Sequence, residues 1–403
     1  MYSLAPYYLG WKYALPPAHA FFEVTYRCNL RCDMCHYLEI IEDTEKNRKF
    51  KNELSADQIR KTIAQLPRFS LITFTGGEAL MKSDFREILD FAASRHKVHI
   101  ITNGTLLNES TVDFLMQRRV KSFFSPGVFY LGVSLEGGEA LHDRITQVPG
   151  SFAKTTEGLH RLMQARGKAR FPMVHLTCVM GRRNVRDLVP LYEYADSLGI
   201  NVCNFVLDNP SEYNHYQGYD HSTQLLSPTP PVEEIDSTLL REELGRLVAL
   251  DRQLKTHLRF SPNYITVDEI VRYYSNKSTY KDYRCYIPWA KVAMTAYGDV
   301  FSCPHVPIGN VETDGGTLPW HSREARNFRQ ELKREKIFPG CLGCCQSEYV
   351  GPSREKPLTS LGVPALELKP EAGPKESVLA CGPWKNGTFE NTKPSGQELQ
   401  KTP

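Results

Sequence analysis

Several features are missing from this chain of 403 residues. No stretch comes near the ~20 consecutive apolar residues that a membrane-spanning helix needs, so no membrane partner is expected. No charge of one sign dominates either. With 49 Lys and Arg against 46 Asp and Glu, there is no basic excess fit to neutralise a run of phosphates, and nucleic acid is not an expected partner. Met1 to Pro17 is aromatic and broken by prolines, where a secretory signal would carry a basic patch and then an apolar run. A cytoplasmic location is the expectation. Nor does any Ser/His/Asp set or carboxylate pair stand out as acid–base or nucleophilic machinery.

Cysteine, by contrast, is plentiful. There are eleven, and in a reducing compartment clustered thiols point to metal binding or catalysis before disulfides. Three stand at positions 28, 32 and 35, and five at 285, 303, 341, 344 and 345. Cys178 and Cys203 fall inside β-type runs and are expected to be small core residues. Cys381 is isolated.

The first half of the chain alternates short β-type runs with longer amphipathic stretches, the pattern of a parallel sheet with crossover helices. Strands are predicted at Ala20–Thr25, Leu71–Thr75, Val98–Thr102, Phe129–Leu135, Met173–Val179 and Asn201–Leu207. Helices are predicted from Ser55, where Gln58 completes a capping box, and at Ser83–Ser94, Asn108–Gln117, Ser151–Ala165 and Asn184–Leu198. The expected fold is α/β: a partial (βα)6 TIM-like barrel over residues 1–208, followed by a small cysteine-rich domain. Residues 209–280, with a helix at Thr238–Leu254, read as an insertion or bridge. The cysteine-rich domain occupies 281–350, with a turn at Tyr297-Gly298-Asp299. Residues 351–403 are rich in Pro, Lys, Glu, Ser and Gly and read as an unstructured tail.

Directly after the first predicted strand comes Cys28-Asn29-Leu30-Arg31-Cys32-Asp33-Met34-Cys35. Thiolates spaced this way in a loop can hold one cuboidal iron-sulfur cluster, and three of them leave one iron open to a small chelating molecule. A zinc knuckle that borrows His36 is the alternative for the loop alone, but it predicts nothing at the other strand ends. Those ends carry Thr75-Gly76-Gly77-Glu78, then Thr102-Asn103-Gly104, then Ser134-Leu135-Glu136-Gly137 with His142-Asp143-Arg144 beyond. They fall on the rim where parallel barrels place their chemistry.

In these motifs, over residues 20–207, the sequence resembles the radical S-adenosylmethionine (SAM) superfamily. Met34 takes the place of the family's aromatic or apolar residue before the last cysteine, and Glu136 departs from the commoner Asp. The resemblance implies that Cys28, Cys32 and Cys35 ligate a 4Fe-4S cluster. It also implies that Gly76, Gly77 and Glu78 receive the SAM amino group, with glycine suited to a close approach of backbone to ligand. Thr102, Asn103, Ser134 and Glu136 are candidates for cofactor contact, although Asn-Gly and Ser also make turns in their own right. Asp143 and Arg144 would equally suit a surface pair. The chemistry implied is reductive cleavage of SAM to a 5′-deoxyadenosyl radical that abstracts hydrogen from a substrate.

The second cysteine group reads C-x12-G-x4-C from Cys285 through Gly298 to Cys303, then Cys341-x2-Cys344. This order resembles the SPASM and twitch extensions of radical SAM enzymes and implies an auxiliary 4Fe-4S cluster, although a four-cysteine zinc ribbon shares the spacing. Few cysteines follow, which favours the one-cluster form. Cys345 competes with Cys344 as ligand, and Cys381 is a further possibility. The resemblance implies a redox enzyme that matures a peptide or protein, or oxidises a small metabolite, and draws electrons from a flavodoxin- or ferredoxin-type donor. No separate N-terminal peptide-recognition domain is expected ahead of Ala20. His215, Tyr216, Tyr219 and His221 are loose candidates for lining the barrel mouth. The rival reading is a non-catalytic iron-sulfur electron carrier or zinc scaffold.

Overall fold

Apolar residues recur every second position in the β-type runs, and that period sets the architecture of the computed structural model. It describes residues 2–11, 13–42, 53–210, 225–352, 381–385 and 388–391. Seven parallel strands stand side by side in chain order: β1 (His19–Thr25), β2 (Leu71–Gly76), β3 (Lys97–Thr102), β4 (Gly127–Ser134), β5 (Met173–Met180), β6 (Val202–Leu207) and β7 (His257–Ser261). Helices follow the strands and cover the outer face. Val98, Ile100 and Thr102 of β3 are buried, while Lys97, His99 and Ile101 between them are half-buried. The strands β5 and β6 repeat that alternation throughout. The result is a partial TIM-like barrel, open at the β7 edge.

Local signals place the helices well. Ala56–Ala64 starts at Ser55 with the capping box to Gln58 in place. Glu109–Gln117 is capped by Asn108, whose side chain accepts from the Thr111 N–H. Phe85–Ala93, Ser151–Arg166 and Ser237–Asp251 lie within a few residues of their predicted ranges. Leu188–Ser197 begins later than the predicted Asn184, because a turn of 3-10 helix at Val185–Asp187 precedes it.

Two expectations change. The region read as a helical bridge contributes β7, a seventh parallel strand beside β6, so the sheet extends past six units. The cysteine-rich region is not a detached satellite either: β9 (Lys291–Met294) pairs in parallel with β1 on the far side of the barrel, and β10 (Asp299–Cys303) and β11 (Val306–Asn310) continue the sheet antiparallel. The two-residue strands β8 (Tyr283–Arg284) and β12 (Glu348–Tyr349) pair with one another.

Within the predicted tail, Cys381–Lys385 and Thr388–Asn391 form an antiparallel hairpin, contrary to the expectation of an unstructured segment. The candidates His215, Tyr216, Tyr219 and His221, and residues 353–380, lie outside the described residues, as does the Cys381 side chain. Among the described residues no helix is long and apolar enough to cross a membrane.

Candidate functional site

The loop carrying Cys28, Cys32 and Cys35 leaves the end of β1 and is tied down on two sides. On one side the N–H groups of Gly77 and Glu78 donate to the carbonyls of Thr25 and Arg27, both at 2.8 Å. On the other side the N–H groups of Arg31 and Asp33 donate to Thr146 and Ile145 at the end of the helix Glu139–Thr146. Within the loop, the Arg31 guanidinium donates to the carbonyls of Cys28 and Leu30, both at 2.8 Å. The Leu30 N–H points at the Cys28 sulfur, 3.4 Å away. Arg183, beyond β5, donates to Asp33 at 2.9 Å.

The three thiols are partly exposed and lie within electrostatic reach of one another. Burial pushes the Cys35 thiol up to about 11 and Cys32 higher still. Left alone, these groups stay protonated at neutral pH; a bound metal's positive charge is what makes them thiolates. Among the described residues no three His, Cys, Asp or Glu groups converge on a single-ion site, and His36, which a zinc knuckle would need, is exposed. A cuboidal cluster does not ask for that convergence, because each thiolate takes its own iron. The donor set fits such a cluster.

The glycine pair packs tightly against the cysteine loop. Gly76 sits at φ +122°, and a Cβ there would lie 2.3 Å from the Thr25 carbonyl oxygen. At Gly77 a Cβ would lie 2.4 Å from the Arg27 oxygen. Both glycines therefore let the β2 loop press against the backbone leading into Cys28.

Glu78 is also turned inward. Fully buried, its carboxylate accepts from the Leu80 N–H at 3.1 Å, the Asn103 N–H at 2.8 Å and the Thr102 hydroxyl at 2.9 and 3.0 Å. It ties the end of β2 to the end of β3. Asn103 carries the connection onward. Its amide donates to Asn29 at 2.9 Å and reaches 4.0 Å from the Cys28 sulfur, a position from which N–H groups tune cluster ligands. Thr102 is buried and also accepts from the Gly104 N–H.

Ser134 and Glu136 stand at the end of β4. Ser134 is half-buried beside Thr177 in the β4–β5 ladder. Glu136 is buried and accepts from the Val179 N–H at 2.8 Å. Burial raises its pKa to about 7, and its charge reaches Cys32 and Cys35. His142 Nδ1 accepts from the Glu136 N–H at 3.1 Å. Asp143 does not form the expected pair with Arg144. It accepts from the N–H groups of Gly150 and Phe152 and from the Ser151 hydroxyl, which caps the helix beginning at Ser151.

The second group assembles as well. Cys285, Cys303, Cys341 and Cys344 line one cavity, with Ile287, Phe328, Leu332 and Phe338 as its apolar walls. Burial raises all four thiols, Cys285 to about 11 and Cys341 to about 12, and neighbouring thiols add to the effect at Cys303, Cys341 and Cys344. Four half-buried thiols facing one cavity suit a closed cluster. Cys344 lines this cavity and Cys345 does not: Cys345 is exposed and lies within electrostatic reach of Lys291 and Arg259. Cys178 and Cys203 are buried core residues, as expected.

The sequence pattern did not single out the polar side chains inside the barrel. His19, His99, Tyr130, His175 and Arg259 sit at the inward positions of β1, β3, β4, β5 and β7. Their signal was a polar residue at every second strand position. That pattern also describes a solvent-facing strand, so it did not separate lumen from surface.

Comparison with known proteins agrees with this geometry. Residues 22–195 match the Radical SAM superfamily, and residues 285–345 match SPASM, the iron-sulfur cluster-binding domain. Over 173 residues the chain is 31% identical to the Fe-coproporphyrin III synthase of Methanosarcina barkeri, which covers 42% of this chain and 39% of that protein. It is 22% identical to the antilisterial bacteriocin subtilosin biosynthesis protein AlbA of Bacillus subtilis, over 82% of this chain and 67% of that one. Among solved structures, Streptococcus suis SuiB bound to the precursor peptide SuiA shares the fold with a TM-score of 0.52 and 14% identity, over 85% of this chain and 69% of that chain. The paired matches, on a barrel whose rim carries the three-cysteine loop and whose extension gathers four more cysteines, place the chain in the radical SAM superfamily, with a SPASM-type auxiliary iron-sulfur domain.

Proposed function

We propose that this protein cleaves SAM reductively and uses the resulting radical to abstract hydrogen from a peptide substrate, in a redox maturation assisted by the auxiliary cluster. The observation that carries the reading is the placement of two separate thiol sets. One is open, with three cysteines at the barrel rim, and the other is closed, with four cysteines around one cavity. An open set leaves a position for SAM, whereas a closed set suits electron transfer. Peptide chemistry is favoured over a small metabolite because the relative that aligns over 82% of this chain is named for bacteriocin biosynthesis.

When bound, the rim cluster would supply one electron to the SAM sulfonium, yielding methionine and the 5′-deoxyadenosyl radical. The chain's own residues do the rest. Cys28, Cys32 and Cys35 would hold the cluster, and Cys285, Cys303, Cys341 and Cys344 the auxiliary one. Asn103 and the Leu30 N–H direct donors at the Cys28 sulfur. Glu78 fixes the rim by joining β2 to β3, and the glycine pair holds the cluster loop against it.

The test is anaerobic incubation of the reconstituted protein with SAM and dithionite. 5′-Deoxyadenosine is expected from the wild type and not from Cys32→Ala. A protein that binds iron and sulfide but releases none would overturn the enzymatic reading in favour of an electron carrier. For the peptide step, a short precursor peptide encoded beside the gene should leave the reaction lighter by two hydrogens or cross-linked.

A further inference from the structure

A closed parallel barrel normally fills its interior with branched apolar side chains. Here the inward positions of six strands carry His19, His99, Tyr130, His175, Arg259 and Lys291, all half-buried, while the outward neighbours on the same strands are buried beneath helices. The inward-facing side of the barrel is therefore polar.

These groups form a connected lining. His19 Nε2 is hydrogen-bonded to the Thr73 hydroxyl at 2.7 Å, which meets His99 Nδ1 at 3.1 Å. The His99 ring lies 5.0 Å from that of His175. A Cβ on Gly132 would lie 2.3 Å from His175 Nε2, so the glycine makes room for that ring.

Two polar atoms are left over in this lining. Among the described residues, His99 Nε2 and Arg259 Nε are buried without a hydrogen-bond partner. The guanidinium reaches only Asn263, at 3.4 Å. Orphaned groups of this kind are rare and call for an explanation such as an absent ligand. The charge balance gives its sign. The ionisable groups that act most on Arg259 are the Cys345 thiol and the Tyr130 phenol, with no carboxylate among them. Lys291 is different: it donates to Gln346 at 2.6 Å, and Glu348 is within its reach. Burial holds His99 and His175 below the usual imidazole range, the latter at about 4, and Arg259 adds to the shift in both, which places its charge within reach of both rings.

We propose that the barrel lumen binds one carboxylate of the substrate, held by the Arg259 guanidinium with His99 Nε2 as a second donor. This rests on the proposal above that the protein directs a SAM-derived radical at a substrate, and it adds that the lumen receives that substrate. One uncompensated cation matches the single charge of a carboxylate better than a phosphate dianion, and the guanidinium fork fits a carboxylate in geometry. The carboxylate could belong to a peptide or to a free organic acid.

The experiment is calorimetric titration of anaerobically reconstituted protein, saturated with SAM, with four probes: N-acetylglutamate amide, its neutral isostere N-acetylglutamine amide, glutarate and inorganic phosphate. The glutamate probe is expected to saturate the protein, and the glutamine probe to bind at least tenfold more weakly. Arg259→Gln should weaken the glutamate probe at least tenfold, and Arg259→Lys should recover part of that. His99→Gln supplies a second variant should the first fail to fold, as read by circular dichroism, and a several-fold loss is expected there. Glutarate binding as well as the glutamate probe supports a free acid as the natural source; a clear preference for the glutamate probe supports a peptide. Equal binding of the glutamate and glutamine probes, tighter binding of phosphate, no binding of any carboxylate, or unchanged affinity in folded variants overturns the proposal. Wild-type protein that releases 5′-deoxyadenosine while binding no carboxylate sinks this inference alone. Protein that releases none sinks the enzymatic reading, and the titration is judged separately.

Discussion

Replacing Glu78 by alanine separates two roles that one motif can play. If the carboxylate were reserved for the SAM amino group, its loss would weaken SAM binding and leave the folded protein as stable as before. The geometry predicts the reverse order of effects. Alanine leaves the N–H groups of Leu80 and Asn103 without their acceptor in a fully buried site, and the Thr102 hydroxyl must turn elsewhere. At about 1–3 kcal/mol for each buried donor left unmade, the gross loss is about 4 kcal/mol. Burial itself disfavours the charged carboxylate, and relief of that penalty offsets part of the loss, so about 3 kcal/mol should remain. Glu78→Gln keeps one carbonyl oxygen but turns an amide donor toward a backbone N–H, and should lie between wild type and alanine. The assay is anaerobic urea denaturation followed by circular dichroism, with SAM affinity measured in parallel by calorimetry. Unchanged stability in Glu78→Ala together with a large loss of SAM affinity would refute the clamp.

Two further outcomes are expected. Cys344→Ala should lose the iron of the auxiliary cluster on anaerobic reconstitution while Cys345→Ala keeps it, because only the former thiol lines the cavity with Cys285, Cys303 and Cys341; equal iron loss in both would contradict the assignment. Glu136 has a folded pKa raised by burial to about 7 from an unfolded value of 4.5, so its stabilising contribution is full below the unfolded value and is lost as pH rises to about 7. The stability of the wild type relative to Glu136→Gln should accordingly fall by on the order of 3 kcal/mol across that window and stay level above it; a difference that does not vary with pH would show that the carboxyl is not shifted.

Much of the rim was legible in the sequence because each motif sits where a regular element ends. Ser55 and Asn108 announce helices by their caps, and the strands before Gly76, Asn103 and Ser134 announce themselves by period-two apolarity. How tightly the glycine pair packs against the cysteine loop was not legible. That depends on how near β1 and β2 bring the Thr25–Arg27 backbone, a distance that exists only after pairing. The direction of Glu78 was hidden for the same reason, since its partners at 102 and 103 lie on another strand. The short run His257–Ser261 was missed as β7 because a half-buried Arg and His break its apolar pattern, and those polar positions are the ones that turn inward. Period alone separates the two faces of a strand without saying which face meets water.

The relation between the auxiliary domain and the barrel follows from the hydrogen bonds made just after Cys344. The edge strands of the sheet are β7 and β11, and the segment after Cys344 bonds both to β9 and to the residues just beyond β7. On one side Gln346 accepts from Lys291 of β9. On the other, the Asn263 N–H, just beyond β7, donates to the Ser347 carbonyl at 3.3 Å, and the Tyr349 N–H donates back to Asn263 at 2.9 Å. A segment that carries Cys344 at one end and bonds to β9 and to the end of β7 at the other joins the cysteine cavity to the barrel. It fixes the closed thiol set relative to the lumen, with Cys345 and Lys291 marking where the two meet. The domain match at residues 285–345 thus describes a structural part of the barrel wall.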